Sequence, residues 1–137
     1  MSKSQDLLGS SLLAGLHELY QNQWPTLCDL TIDCANEEKV LAHKLILAVH
    51  SEYFAALFRH SPETLQTVSL PEFDSVVIKV IIKSLVLGTD ATELNDVGLY
   101  EIIRAADYFL MKDLVSVVGE MISAVEITSE NIQFFLI

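Results

Sequence analysis

Leu8, Leu12, Leu16 and Leu19 recur at spacings of four, four and three, with Leu13 and Tyr20 flanking them. That period predicts an amphipathic helix ended by Trp24-Pro25. A helix at a chain terminus must bury its apolar stripe somewhere, either on its own domain or on a second copy. The period then changes to two. Cys28, Leu30, Ile32 and Cys34 alternate with Asp29, Thr31 and Asp33, which predicts one strand. Asn36-Glu37-Glu38 reads as a turn and Lys39-Val40-Leu41-Ala42 as the return strand of a hairpin.

Helical signals follow. His43 to Val49 reads as a short helix, and Ser51 is placed to cap a second over Glu52 to Arg59, carrying Tyr53, Phe54, Leu57 and Phe58. Ser61-Pro62 breaks it, and Thr67 to Leu70 is a short strand stopped by Pro71. From Ser75 to Leu87 the β-branched content argues for a strand. Ser75, Lys79 and Lys83, however, fall every fourth residue and form one polar stripe on an apolar cylinder. A mostly buried helix is predicted, capped by Asp74 and terminated by Gly88. Asn95 or Asp96 is expected to cap a helix carrying Leu99, Ile102, Ile103, Ala106 and Leu110. Another helix is expected from about Asp113, with Leu114, Val117, Val118, Met121 and Ile122. Thr128-Ser129-Glu130-Asn131 would open a last helix with Ile132, Phe135 and Leu136 on one face. The chain stops in apolar residues, so a longer protein is expected.

At 137 residues one principal domain is expected. The composition, 51% apolar and 20% charged, supports a real core and excludes a disordered chain. Eight Lys and Arg against 19 Asp and Glu give a net charge of −11, which repels phosphate backbones. Neither nucleic acid nor an anionic membrane is an expected partner of this domain. Residues 89–137 carry −7 against −4 for residues 1–88, so a basic partner would favour the C-terminal part. No apolar run reaches the ~18 residues of a membrane span. With no basic-then-apolar opening, the expected location is intracellular, cytoplasmic or nuclear. Six residues along one strand would hold Cys28 and Cys34 ~20 Å apart, beyond disulfide reach.

No metal and no cofactor is expected. No His, Cys and Asp group has ligand spacing, and no P-loop, Gly-x-Ser-x-Gly or Gly-x-Gly-x-x-Gly is present. His43 lies in the chain between Cys34 and Ser51, but a lone His beside an apolar segment is more often structural than catalytic. No active site is read.

Three motifs stand in register. They are Cys28-Asp29-Leu30-Thr31-Ile32, Leu41-Ala42-His43-Lys44-Leu45-Ile46-Leu47-Ala48 and Ser51-Glu52-Tyr53-Phe54-Ala55-Ala56-Leu57-Phe58. Together with Ala105-Ala106-Asp107-Tyr108-Phe109-Leu110 they resemble the BTB/POZ family over about residues 7–125. Ile127-Thr128-Ser129-Glu130-Asn131 resembles the start of the helical extension of kelch-type adaptors. The expected organisation is therefore a BTB/POZ domain over residues 1–125 and the start of that extension over 126–137. The fold so implied is α+β, a small mixed sheet flanked by a cluster of helices, with the first helix packed across a two-fold dimer. Two departures are visible. Leu85-Val86-Leu87-Gly88-Thr89 replaces the family's Tyr-Thr-Gly-like run, so its short edge strand is not expected. About two extra residues lie around Trp24-Pro25. No stretch ahead of the first helix is expected to serve as the swapped strand of many zinc-finger members, which tilts the pattern towards kelch-like adaptors.

The resemblance implies roles. Leu8, Leu12, Leu16 and Leu19 become dimer residues, with Ile46 facing them. Asp29 and Lys44 match a paired acidic and basic position beneath the dimer interface, read first as structural and second as a charged pocket. Binding to a cullin N-terminal domain would use the segment after the Phe-ending helix. There His60, Pro62, Glu63 and Leu65 stand where the family has a hydrophobic-x-Glu motif, and Tyr108 lies on the helix that completes such a surface. Pro62-Glu63-Thr64 matches that motif poorly, with Glu63 one place early and Leu65 as the alternative inserting residue. Phe109 is expected in the core. The function implied is a homodimeric substrate adaptor of a cullin-RING ubiquitin ligase, with substrate recruited by a further C-terminal module. A corepressor-recruiting domain of a transcription regulator, or a self-association scaffold, is the alternative.

Overall fold

Leu30, Ile32 and Cys34 point into the protein while Thr31 and Asp33 stay half-exposed, and this alternation makes the first strand, β1 (Leu30–Asp33). The structure is a computed structural model and describes residues 3–126. The expected last helix, from Thr128, lies outside the described residues. Strand β1 pairs antiparallel with β2 (Lys39–Ala42) and parallel with β3 (Thr67–Ser69), giving a mixed sheet of order β2-β1-β3. A 3-10 turn over Ala35–Glu37 joins the hairpin, with Asn36 at φ 60° and Glu37 at φ 62°.

Among the described residues, seven α-helices surround this sheet. The first is α1 (Lys3–Leu27), then α2 (Lys44–His50), α3 (Glu52–Arg59) and α4 (Ser75–Leu87). They are followed by α5 (Ala91–Val97), α6 (Leu99–Tyr108) and α7 (Lys112–Glu126). The fold is thus the small mixed sheet with a helical cluster that the sequence implies. Helix α4 is its central pillar. Val77, Ile78, Val80, Ile81, Ile82 and Val86 are buried, and Lys79 and Lys83 form the polar stripe. Asp74 accepts the Val76 amide at 2.8 Å to start the helix, and Gly88, at φ 90°, ends it. The hydroxyl of Ser75 is hydrogen-bonded to Glu38, which ties the hairpin turn to the pillar.

Several boundaries differ from the sequence reading, each for a local reason. Helix α1 runs through Pro25 to Leu27 instead of ending at Trp24-Pro25. Pro25 sits in the last turn, where it removes one helical bond, and the Cys28 amide still reaches the Trp24 carbonyl at 3.1 Å. Cys28 consequently lies outside β1, so the two cysteines do not share a strand; both are free. His43 caps α2 rather than opening it. Between α4 and α6 lies an extra helix, α5, which Asp90 caps by accepting the Thr92 and Glu93 amides at 3.0 and 3.3 Å. Asn95 and Asp96 are exposed inside α5 and cap nothing, and Gly98, at φ 112°, separates it from α6. Apart from Ala91 the α5 segment is polar but for Leu94 and Val97, so its apolar period is too short to read. The Lys83–Glu93 ion pair, at 2.9 Å, and buried Leu94 dock it on α4.

Candidate functional site

The first surface is built by α1 and α2. Helix α1 lies on the body only in its second half. Tyr20 and Trp24 pack against the core, their rings 4.9 Å apart, whereas every residue from Leu7 to Ala14 is exposed. Leu8 and Leu12 are 69% and 66% exposed, Leu19 is more covered, and Leu16 is half-buried. Leu7 and Leu13 share the open stretch. On α2, Ile46 is half-buried, and its neighbours Leu45 and Val49 stand further out, at 64% and 68% exposed. Leu45 and Val49 escaped the sequence reading, although their four-residue spacing opposite buried Leu47 was the available signal. So many large apolar side chains left open on α1, with two more on α2, mark these faces as interaction surfaces rather than ordinary scatter.

The expected ion pair of Asp29 and Lys44 takes another form. Asp29 accepts the backbone amide of Lys44 at 2.8 Å, so the acid sits at the N-terminus of α2, where the helix dipole favours it. The Lys44 ammonium turns to the Glu63 carbonyl, 3.5 Å away, and tethers the loop after α3. The ion pairs among the described residues are Lys39–Asp33, Lys83–Glu93 and Lys112–Glu52. Asp29 is exposed, since its fixed partner is a backbone group at the surface. His43 packs its ring 6.3 Å from that of Trp24, and its buried Nδ1 has no hydrogen-bond partner.

The second surface lies along α3. His60 closes the helix, its amide donating to the Ala56 carbonyl at 3.1 Å. The chain then turns over Pro62 to Leu65, with the Leu65 amide on the Pro62 carbonyl at 3.0 Å. This turn carries Leu65 back against the core and leaves Pro62, Glu63 and Thr64 outward. Tyr108, 49% exposed, stands at the other end of α3, its ring 5.5 Å from Tyr53 and 5.1 Å from Phe73. Tyr53 and His60 are seven positions apart, about 10 Å along the helix axis, so Tyr108 and the Pro62–Glu63 turn stand at opposite ends of α3. Burial pushes the Tyr53 phenol above its ordinary range, helped by neighbouring Tyr108 and Glu72. Tyr53 is a member of this surface that the sequence reading left in the core pattern. Phe109 is fully buried, stacked 5.1 Å from Phe54.

Chemistry-bearing clusters are not what these surfaces offer. Among the described residues no group of three or more His, Cys, Asp or Glu is placed to hold a metal, and no helix is long and apolar enough to cross a membrane. Burial raises the Cys28 thiol to about 11, with Asp29 adding to the shift, which leaves it a poor nucleophile.

A mixed sheet under a helical cluster, with broad apolar faces turned outward, defines a protein–protein interaction module. Residues 16–126 match the BTB/POZ domain family, and the chain belongs to it. Kelch repeat and BTB domain-containing protein 2 of horsepox virus is 32% identical over 93 residues, covering 66% of this chain. Its namesake from ectromelia virus (strain Moscow) matches at the same 32% over 93 residues. The chain spans 16% of the length of these curated relatives. Among solved structures, the BTB domain of human gigaxonin superposes with a TM-score of 0.70 at 23% identity, covering 88% of this chain and 94% of that one. The BTB domain of zebrafish PATZ1 gives 0.67 at 21% identity, covering 90% and 97%. At these identities the solved structures speak for the fold alone.

Proposed function

We propose that this domain forms a homodimer through α1 and α2 and acts, in the cytoplasm or nucleus, as the adaptor that joins a substrate to a cullin-RING ubiquitin ligase. The observation that carries the reading is the overhang of α1. Leu7, Leu8, Leu12 and Leu13 stand in water on a helix that its own domain does not cover. A single helix of this kind gains its stability from tertiary packing, and a second copy supplies the complementary face through an isologous contact. Leu45 and Val49 extend the same apolar character on α2.

The cullin half of the reading rests on the kelch-repeat relatives and on the α3 surface. A cullin N-terminal domain would meet Pro62 and Glu63 at one end and Tyr108 with Tyr53 at the other, and a module beyond residue 137 would hold the substrate. Dimerisation raises the effective concentration of that module. The poor motif at Pro62-Glu63-Thr64 favours a second reading, a self-association or corepressor-recruiting domain of a transcription regulator.

Titration calorimetry against the N-terminal repeats of a BTB-binding cullin separates the two. Submicromolar binding at one cullin per subunit, weakened together by Glu63→Ala and Tyr108→Ala, supports the adaptor. No heat at two temperatures from folded protein supports the second reading.

A further inference from the structure

The sole Trp of the chain joins α1 to the sheet. Trp24 Nε1 donates to the Leu41 carbonyl at 3.2 Å. In the β1–β2 ladder the carbonyls of Ala42 and Glu38 accept from β1, so that of the intervening Leu41 points to the open edge of the sheet. The indole thus satisfies an edge group that β1 cannot reach, and its ring packs between Tyr20 and His43. A groove of about 330 Å³ stays open beside it, floored by Val40, Leu41 and Ile82. The seat is therefore open on that side, and the ring and its hydrogen bond oppose rolling there, beside the packing of Tyr20 and of α1 on α4.

Helical geometry gives the consequence. At roughly 100° per residue, Tyr20 lies roughly 40° from Trp24 about the axis, while Leu12 lies roughly 120° and Leu19 roughly 140° away. Seating Trp24 on β2 turns the leucine row away from the domain. We infer that Trp24 is a positioning residue for self-association, fixing the azimuth of α1 so that Leu8, Leu12 and Leu19 face a second copy. This rests on the homodimer reading. Trp24 acts from the subunit's own side, without lying in the contact, and lowers the ordering cost of association.

Sedimentation equilibrium of the wild type, Trp24→Ala and Trp24→Phe tests this, with thermal melting as a control for folding. Trp24→Ala is expected to weaken association about tenfold with the fold retained, and Trp24→Phe, which keeps an aromatic ring but loses the N–H donor, to recover only part of it. In the wild type, indole emission should stay blue-shifted and unchanged as dilution takes dimer to monomer, because the seat lies within one subunit. A folded Trp24→Ala that associates like the wild type overturns the inference, as does emission that shifts red on dilution. If Trp24→Ala fails to fold, Trp24→Phe and the emission readout decide. A wild type that stays monomeric at all concentrations instead sinks the homodimer reading, and the inference with it.

Discussion

Ser51 and Phe109, 58 residues apart, are joined by a hydrogen bond of 2.6 Å from the Ser51 hydroxyl to the Phe109 carbonyl. The same oxygen accepts the Phe54 amide at 3.0 Å and so caps α3. One buried hydroxyl therefore starts the helix that carries the second surface and fixes the chain leaving α6, where Tyr108 stands. Ser51→Ala removes the cap and strands a buried carbonyl. A loss of about 2–3 kcal/mol is expected, read by urea unfolding, with Ser51→Thr recovering part of it.

Self-association should depend on the overhanging half of α1. Leu12→Asp places a charge on a residue already open to water, so the monomer fold is expected to survive, with melting changed by less than about 1 kcal/mol. In the dimer the same carboxylate would be desolvated without a partner. Sedimentation should show the particle mass falling by half. Leu45→Asp on α2 should do the same, whereas Leu47→Asp, in the core, should unfold the chain.

Cys28 carries a pH signature. Burial raises its thiol from 9.0 to about 11, so the folded state favours the protonated form. The associated stability is fully present below pH 9 and is lost as pH rises through about 11. At pH 8 the folded chain should hold roughly a hundredth of the thiolate of an ordinary cysteine. Ellman's reagent should therefore react slowly with native protein and fast after addition of guanidinium. Equal rates in the two conditions would contradict this placement.

Leu110 sits at φ 53° in the turn between α6 and α7, a region that disfavours branched and bulky side chains, with its own side chain exposed. Leu110→Asn should relieve that strain without the entropic cost of glycine. A gain of about 0.5–1 kcal/mol is expected in thermal or urea unfolding.

Much of this was legible in the chain because it depends on local period and capping. The four-residue spacing of Ser75, Lys79 and Lys83 outweighed the β-branched run and gave α4 correctly, since one polar stripe on an apolar cylinder has no strand equivalent. Asp74 and Ser51 announced their helices because a cap is a matter of a few neighbouring backbone amides. The three linked motifs carry the family resemblance because each is a short run of residues in fixed register. Helix α5 was missed because seven residues with one buried leucine carry no readable period, and a distant partner, Lys83, helps hold it.

The sequence by itself determined the alternation of β1, the helical stripes, the caps and the apolar character of the surfaces, because each rests on residues a few positions apart. Only the tertiary structure decided which apolar residues stay in water. It seated Tyr20 and Trp24 on the domain and left Leu8 and Leu12 overhanging, turned Leu45 and Val49 outward past Ile46, drew Leu65 inward, and replaced the Asp29–Lys44 ion pair with a bond to the Lys44 amide. These outcomes depend on where one element ends against another. A stripe predicts that a helix has an apolar face, but only the three-dimensional extent of the neighbouring sheet and helices sets how much of that face is covered.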